Sequence, residues 1–356
     1  MLSAAFAFAF DIGMLGHAMG VDWMKRGRGT LIAALGLAAA TVGVAAWVPE
    51  LVLSAEFARQ RLAAGAQRYA IELAGHRWSY LDAGRVKPAR ASSRSRNALL
   101  VPALAKPVIV LVHGFTGSKE NWLPLMRVLA PNYRLIALDL PGWGDSERLK
   151  ETDYGAAAQA ERLTKFLHAL PGIVGADGPP ALLVGHSMGG QIVGLLAARH
   201  PELVDRVVLM SASGVLFDEN EFGLGVLAGD NPFGVDNRAE LHRYLRIVFK
   251  QPPFVPWPFD EAMVHRRRED AAFEQRVLDD IGRGPDAFAL QQELAAIRAQ
   301  VLLLWGRDDR VIDPSAVAVF EAGLAQSRTT LLNGCGHMPM MERTIETAAA
   351  LKDFLR

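Results

Sequence analysis

The sequence predicts an α/β fold, a mostly parallel central sheet with helices on both faces and one helical insertion. Three observations carry this. Short, continuously apolar runs such as VIVLV at 108–112 and VLLLW at 301–305 recur between helix-like stretches, and strands apolar on every residue suit a parallel sheet buried on both faces. The rhythm breaks after Ser213 and resumes at Val301, which marks an insertion between strands. The chain has 356 residues, 51% of them hydrophobic, enough for one large domain with such an insertion.

Charge and cysteine content bound the function. Lys plus Arg and Asp plus Glu are equal at 38 each, so no basic excess points to a nucleic-acid partner. The one cysteine, Cys335, cannot form an internal disulfide. The sequence carries no repeat of fixed period, no metal-ligand cluster and no Gly-rich phosphate loop; neither a metal nor an organic cofactor is expected, and oligomeric state is left open.

The N-terminus is of a different kind. Residues 30–48, TLIAALGLAAATVGVAAWV, hold no charge, and as a helix they span roughly 28 Å, the depth of a bilayer core. Lys25, Arg26 and Arg28 precede the run and no comparable cluster follows, which orients the N-terminus to the cytoplasm and the rest to the periplasmic or extracytoplasmic side. A retained single-pass anchor is the reading adopted; a cleaved signal and a helix buried in the soluble domain are the alternatives. Residues 1–29 form a cytoplasmic or weakly hydrophobic segment, and Met24 is an alternative start. Residues 49–68 read as a linker with a short amphipathic helix suited to a membrane surface.

From Tyr69 the elements follow in order. A strand, a turn at Gly75 and a second strand occupy 69–82, and an exposed Arg-, Ser- and Pro-rich connection follows at 84–106. Strands are expected at 108–112, 134–138, 181–184, 207–210, 301–305 and 329–332. Helices are expected at 120–129, 156–170 and 191–199, from Pro314, and at the C-terminus. The core is thus 69–214 with 286–356, and residues 215–285, including QPPFVPWPF, form a cap above the carboxyl ends of the strands.

One stretch carries the chemistry. Gly185-His186-Ser187-Met188-Gly189 stands between a strand and a helix, the context in which G-x-S-x-G forms a cramped turn that aims a serine hydroxyl above the sheet. A serine needs a base. His337, in NGCGHM just past the last strand, is positioned to be that base. An acid should follow the preceding strand, where WGRDDRVID supplies Asp308, Asp309 and Asp313; Asp309 is preferred, three residues past the strand-ending glycine, with Asp308 a solvated neighbour. The order Ser, Asp, His separates this arrangement from other serine-hydrolase folds. Oxyanion donors are expected at the backbone N–H of Met188 and, after the 108–112 strand, of Phe115, with His113 bracing that loop.

HGFTGSKENW, LDLPGWGDS, GHSMGGQ, WGRDDRV and NGCGHMPMMER together resemble the α/β-hydrolase superfamily over residues 69–356, most of all the membrane-anchored monoacylglycerol lipases and related bacterial esterases. The resemblance implies an α/β-hydrolase fold and the triad Ser187, Asp309 and His337. It also implies a carboxylic-ester hydrolase acting on lipophilic acyl esters such as monoacylglycerols, with membrane lipid nearby. Carbon–carbon bond hydrolases of ring-fission products share the triad and are the alternative, though they more often carry Asn in place of His186. A non-catalytic binding protein on the same fold is a third reading.

Overall fold

The computed structural model describes residues 48–85, 106–175, 178–284 and 286–356. The expected anchor at 30–48 falls almost wholly outside them, as does most of the 84–106 connection. Among the described residues no helix is long and apolar enough to cross a membrane.

Helix α1 (Pro49–Ala63) leads into a hairpin of β1 (Ala66–Leu73) and β2 (His76–Ala83). Gly75, at φ +77°, turns the hairpin, a conformation that costs glycine little. The βα alternation then begins with β3 (Val108–Val112), α2 (Leu123–Leu129), β4 (Arg134–Leu138), α3 (Ala156–Val174), β5 (Leu182–His186), α4 (Met188–Arg199) and β6 (Arg206–Met210). After α5 (Glu221–Ala228), α6 (Arg238–Val248), α7 (Phe259–Arg283) and α8 (Ala289–Glu293), it closes with β7 (Gln300–Gly306), α9 (Ala316–Gly323), β8 (Ser327–Leu332), α10 (Pro339–Glu342) and α11 (Thr344–Phe354).

The eight strands form one sheet in the order β1-β2-β4-β3-β5-β6-β7-β8. The hairpin joins antiparallel, through Tyr80 opposite Leu138, and every later pair is parallel. β3 therefore lies between β4 and β5, and the chain leaves it to opposite sides. The crevice outside the carboxyl ends at such a reversal is where open α/β sheets hold ligands. Strand β5 is buried along its whole length, and β3, β4 and β6 bury all but their first residues. Helix α4 packs on α3 and α8, while α2 packs on α10 and α11. Eleven of the twelve α4 residues are buried, as its all-round apolar sequence requires.

Three boundaries differ from expectation for local reasons. The helix expected from residue 120 opens as a 3-10 turn at Lys119–Trp122, capped by Ser118 and Asn121, and becomes α-helical only at Leu123. Helix α4 starts at Met188, so Gly189 and Gly190 lie inside it. The C-terminal helix is broken at Arg343. The 215–285 insertion is also not one body. Of the described residues, 48–58, 234–246 and 252–271 cluster as one unit; 59–233, 247–251 and 272–356, with the whole sheet, form the other. Within the smaller unit Arg238 pairs with Asp260 at 2.9 Å and Arg267 lies over the Tyr244 ring.

Candidate active site

Ser187 follows β5 directly and caps α4 with φ +53° and ψ −120°. That backbone is strained for a residue with a Cβ, and surrounding contacts must hold it. They are visible. Its N–H donates to the Met210 carbonyl at 2.9 Å, and its carbonyl accepts from Gly190 and Ser213. A Cβ on Gly185 would lie 2.2 Å from the Gly189 oxygen, and one on Gly189 would lie 2.4 Å from the His113 oxygen. The elbow is thus pinched against the end of β3 by residues that must lack side chains. Ser187 makes no side-chain cap to its own helix.

Asp309 stands just beyond β7. Its Oδ1 accepts the Val311 and Ile312 N–H groups at 2.9 and 3.1 Å, and its Oδ2 lies 2.8 Å from His337 Nδ1. Both side chains are buried. With Nδ1–H given to the carboxylate, the His337 Nε2 is the nitrogen with a lone pair. Asp308 is in different surroundings: it pairs with Lys250 Nζ at 2.6 Å, and that bond holds its carboxyl below the usual range.

Two further histidines brace the loops. His186 Nε2 donates to the His337 carbonyl at 2.7 Å, and the two rings are 4.7 Å apart. Burial, and then the neighbouring His337, hold the His186 imidazole well below its ordinary value. His113 Nδ1 donates to the Gly114 carbonyl at 2.7 Å, while Nε2 accepts the Leu140 N–H at 3.1 Å. A ring that donates once and accepts once is neutral, and burial lowers its pKa accordingly. Next in sequence are Gly114 and Phe115, and a Cβ on Gly114 would lie 2.8 Å from the Ser187 Cβ. Among the described residues neither the Phe115 nor the Met188 N–H has a backbone acceptor.

Ser187, Phe115 and Met188 help to line a cavity of about 270 Å³ whose walls include Val215, Phe222, Val226 and Leu278. Leu216, Leu224 and Leu227 line it too and are exposed. The apolar character of α5 explains this: Phe222 and Val226 face inward, and no polar residue replaces Leu224 and Leu227 on the outer side. Among the described residues no cluster of His, Cys, Asp and Glu is placed to hold a metal.

Sequence reasoning missed the support of this site. Lys119 is buried, with Nζ 2.5 Å from Asp139 and 2.7 Å from Asp145. Burial alone would lower its pKa, but Asp139 and Glu120 carry it above the ordinary value. A lysine inside GSKENW has the look of a solvated residue; the partners that bury it come from LDLPGWGDS, 20 and 26 positions on.

Residues 109–350 match the alpha/beta hydrolase family. Human monoacylglycerol lipase ABHD6 is 29% identical over 264 residues, 70% of this chain and 75% of that protein. Lipase 3 of Moraxella sp. (strain TA144) is 28% identical over 69% of this chain and 76% of its own length. Among solved structures, a membrane phospholipase A described as a bacterial virulence factor superposes with a TM-score of 0.77 at 32% identity, covering 92% of this chain and 98% of that one.

Proposed function

The chain belongs to the alpha/beta hydrolase family, and from that premise we propose that this carboxylic-ester hydrolase cleaves esters of lipophilic acyl chains, monoacylglycerols among them, through Ser187, His337 and Asp309. The observation that carries the reading is the buried Asp309–His337 pair, 2.8 Å apart, in a chain whose elbow serine opens onto an apolar cavity. His337 Nε2 takes the Ser187 proton as Oγ attacks the ester carbonyl. Asp309 holds the imidazole in the required tautomer and stabilises its charged form. The Phe115 and Met188 N–H groups receive the oxyanion, each worth about 3–4 kcal/mol at the transition state. Collapse expels the alcohol with a proton from His337, leaving an acyl-enzyme that water, deprotonated by the same base, resolves to free acid.

A greasy substrate is supported by the cavity walls and by the exposed Leu216, Leu224 and Leu227 on them, an apolar margin continuous with the interior. Within 215–285, the stretches 215–233 and 272–284, which share a unit with the sheet, supply the cap residues that wall the cavity. Residues 30–48 serve as a single-pass anchor with the enzyme on the extracytoplasmic side; the uncharged run supports this, as does the likeness to a membrane phospholipase.

The test is an ester ladder from acetyl to long chain, with monoacylglycerols included, run on the full chain in detergent beside Ser187→Ala. Turnover that peaks at medium or long chains and vanishes in the variant is expected. Turnover retained by Ser187→Ala, or equal rates along the ladder, would defeat the reading. Activity confined to carbon–carbon bond substrates would install the alternative.

A further inference from the structure

Glu342, at the end of α10, has a coordination that nothing in the triad requires. Its Oε1 accepts the Gly336 N–H at 2.9 Å and the Met338 N–H at 3.3 Å, the two residues that flank His337. Its Oε2 accepts the Lys250 N–H at 2.8 Å and the Gln251 N–H at 3.4 Å. One carboxylate thus joins the loop that carries the candidate base to the short segment after α6. The end of α6 and this segment reach the site twice more. The Val248 carbonyl accepts the His337 N–H at 2.9 Å, and Lys250 Nζ holds Asp308, next to Asp309. The contact is close as well as polar. A Cβ on Gly336 would lie 2.6 Å from the Lys250 nitrogen, so glycine there is what lets the loop and the segment touch.

We propose that Glu342 is a positioning residue, a clamp that fastens residues 248–251 to the His337 loop and fixes the imidazole for proton transfer with Ser187. This rests on the triad reading above. The physics is direct. His337 sits between residues held at both of its peptide neighbours, with its own N–H and carbonyl also bonded, so the backbone under the imidazole has little freedom. Positioning errors of about 1 Å in such a group cost rate on the order of a hundredfold without weakening substrate binding. Glutamine cannot reproduce the clamp: its one carbonyl oxygen satisfies the loop or the segment, while its NH2 faces the other pair of donors.

Glu342→Gln is therefore assayed for kcat and KM on a medium-chain ester, for fluorophosphonate labelling of Ser187 and for Tm. The expected result is a kcat reduced about 10- to 100-fold with KM within about twofold, a parallel fall in labelling rate, and a cooperative melt. The imidazole N–H resonance of the His337–Asp309 hydrogen bond should broaden or shift in the proton NMR spectrum. Gly336→Ala, whose Cβ would lie 2.6 Å from the Lys250 nitrogen and 3.1 Å from Glu342 Oε1, disturbs the same junction while leaving the carboxylate in the chain. It should give the same kcat-only loss, and combining the two should cost little more than the larger alone. It is read in place of Glu342→Gln if that variant does not fold. Wild-type kcat in a folded Glu342→Gln, or a loss that only tracks the unfolded fraction, overturns the proposal. His337→Ala separates the two levels. If it is inactive while Glu342→Gln is normal, the clamp alone fails; if it retains turnover, the triad and the clamp fail together.

Discussion

Asp309 Oδ2 and His337 Nδ1 are 2.8 Å apart, and both side chains are almost wholly withdrawn from water. Two backbone N–H groups on Oδ1 leave the second oxygen aimed at the ring. Replacing Asp309 by Asn preserves shape but presents an NH2 to Nδ1, which selects the wrong imidazole tautomer. We expect Asp309→Asn to lower kcat/KM by about 10⁴. Asp308→Asn breaks a partly exposed pair with Lys250, and its effect should stay within about tenfold. The two variants on one ester substrate decide it; equal losses would remove Asp309 from its assigned role.

The fold was legible because its strands are apolar on every residue and its elbow glycines fall where a strand meets a helix. Asp309 could be preferred to Asp308 because the distance from Gly306 is short and fixed by the turn. What escaped the sequence depends on side chains meeting across long separations. Glu342 is five residues past His337 and has the look of a first-turn acid, yet its partners include Lys250 and Gln251, 92 and 91 positions away. The helix expected at 120–129 opens instead as a 3-10 turn because Ser118 and Asn121 cap it, a contest between local hydrogen bonds that periodicity does not register.

Acid should destabilise the enzyme through its buried histidines. His186 and His113 are both held below the ordinary 6.5, first by burial. The unfolded chain takes up protons near 6.5 that the folded one refuses, so stability is full above that pH and declines as pH falls through it, by about 1.4 kcal/mol per pH unit for each proton. Glu120 and Glu342 act with the opposite sign, since burial raises their carboxyls, and their contribution is lost as pH rises from their ordinary 4.5. Comparing wild type with His186→Gln cancels them, because both proteins retain both acids. Between pH 7.5 and 5.5 the Tm of the variant should fall less steeply, and parallel curves would refute this.

The buried lysine makes a stability prediction. Lys119 is 1% exposed and Asp139 is fully buried, so Lys119→Met strands a carboxylate with its partner gone. The loss should be about 3–5 kcal/mol. Adding Asp139→Asn removes the stranded charge and should recover part of it. Urea unfolding of the single and double variants measures both, and a single variant as stable as wild type would show that the pair contributes nothing.

If the cavity beside Ser187 takes the acyl chain, as proposed, one side chain there should set chain length. Gly282 of α7 and Val226 of α5 both line the cavity and meet there, since a Cβ on Gly282 would come 2.6 Å from Val226 Cγ1. Valine at 282 must push Val226 aside or project into the space between the helices, and either way it takes room from the acyl chain. Excluding about two methylenes at about 0.8 kcal/mol each lowers kcat/KM about fifteenfold. Gly282→Val should therefore lose activity on a dodecanoyl ester by that factor while its butyryl activity stays within about twofold, moving the optimum to shorter chains. The ratio of the two rates is the informative quantity, because a folding defect scales both alike. A uniform loss along the ladder would mean that the acyl chain lies elsewhere, and the cavity beside Ser187 would then need another occupant.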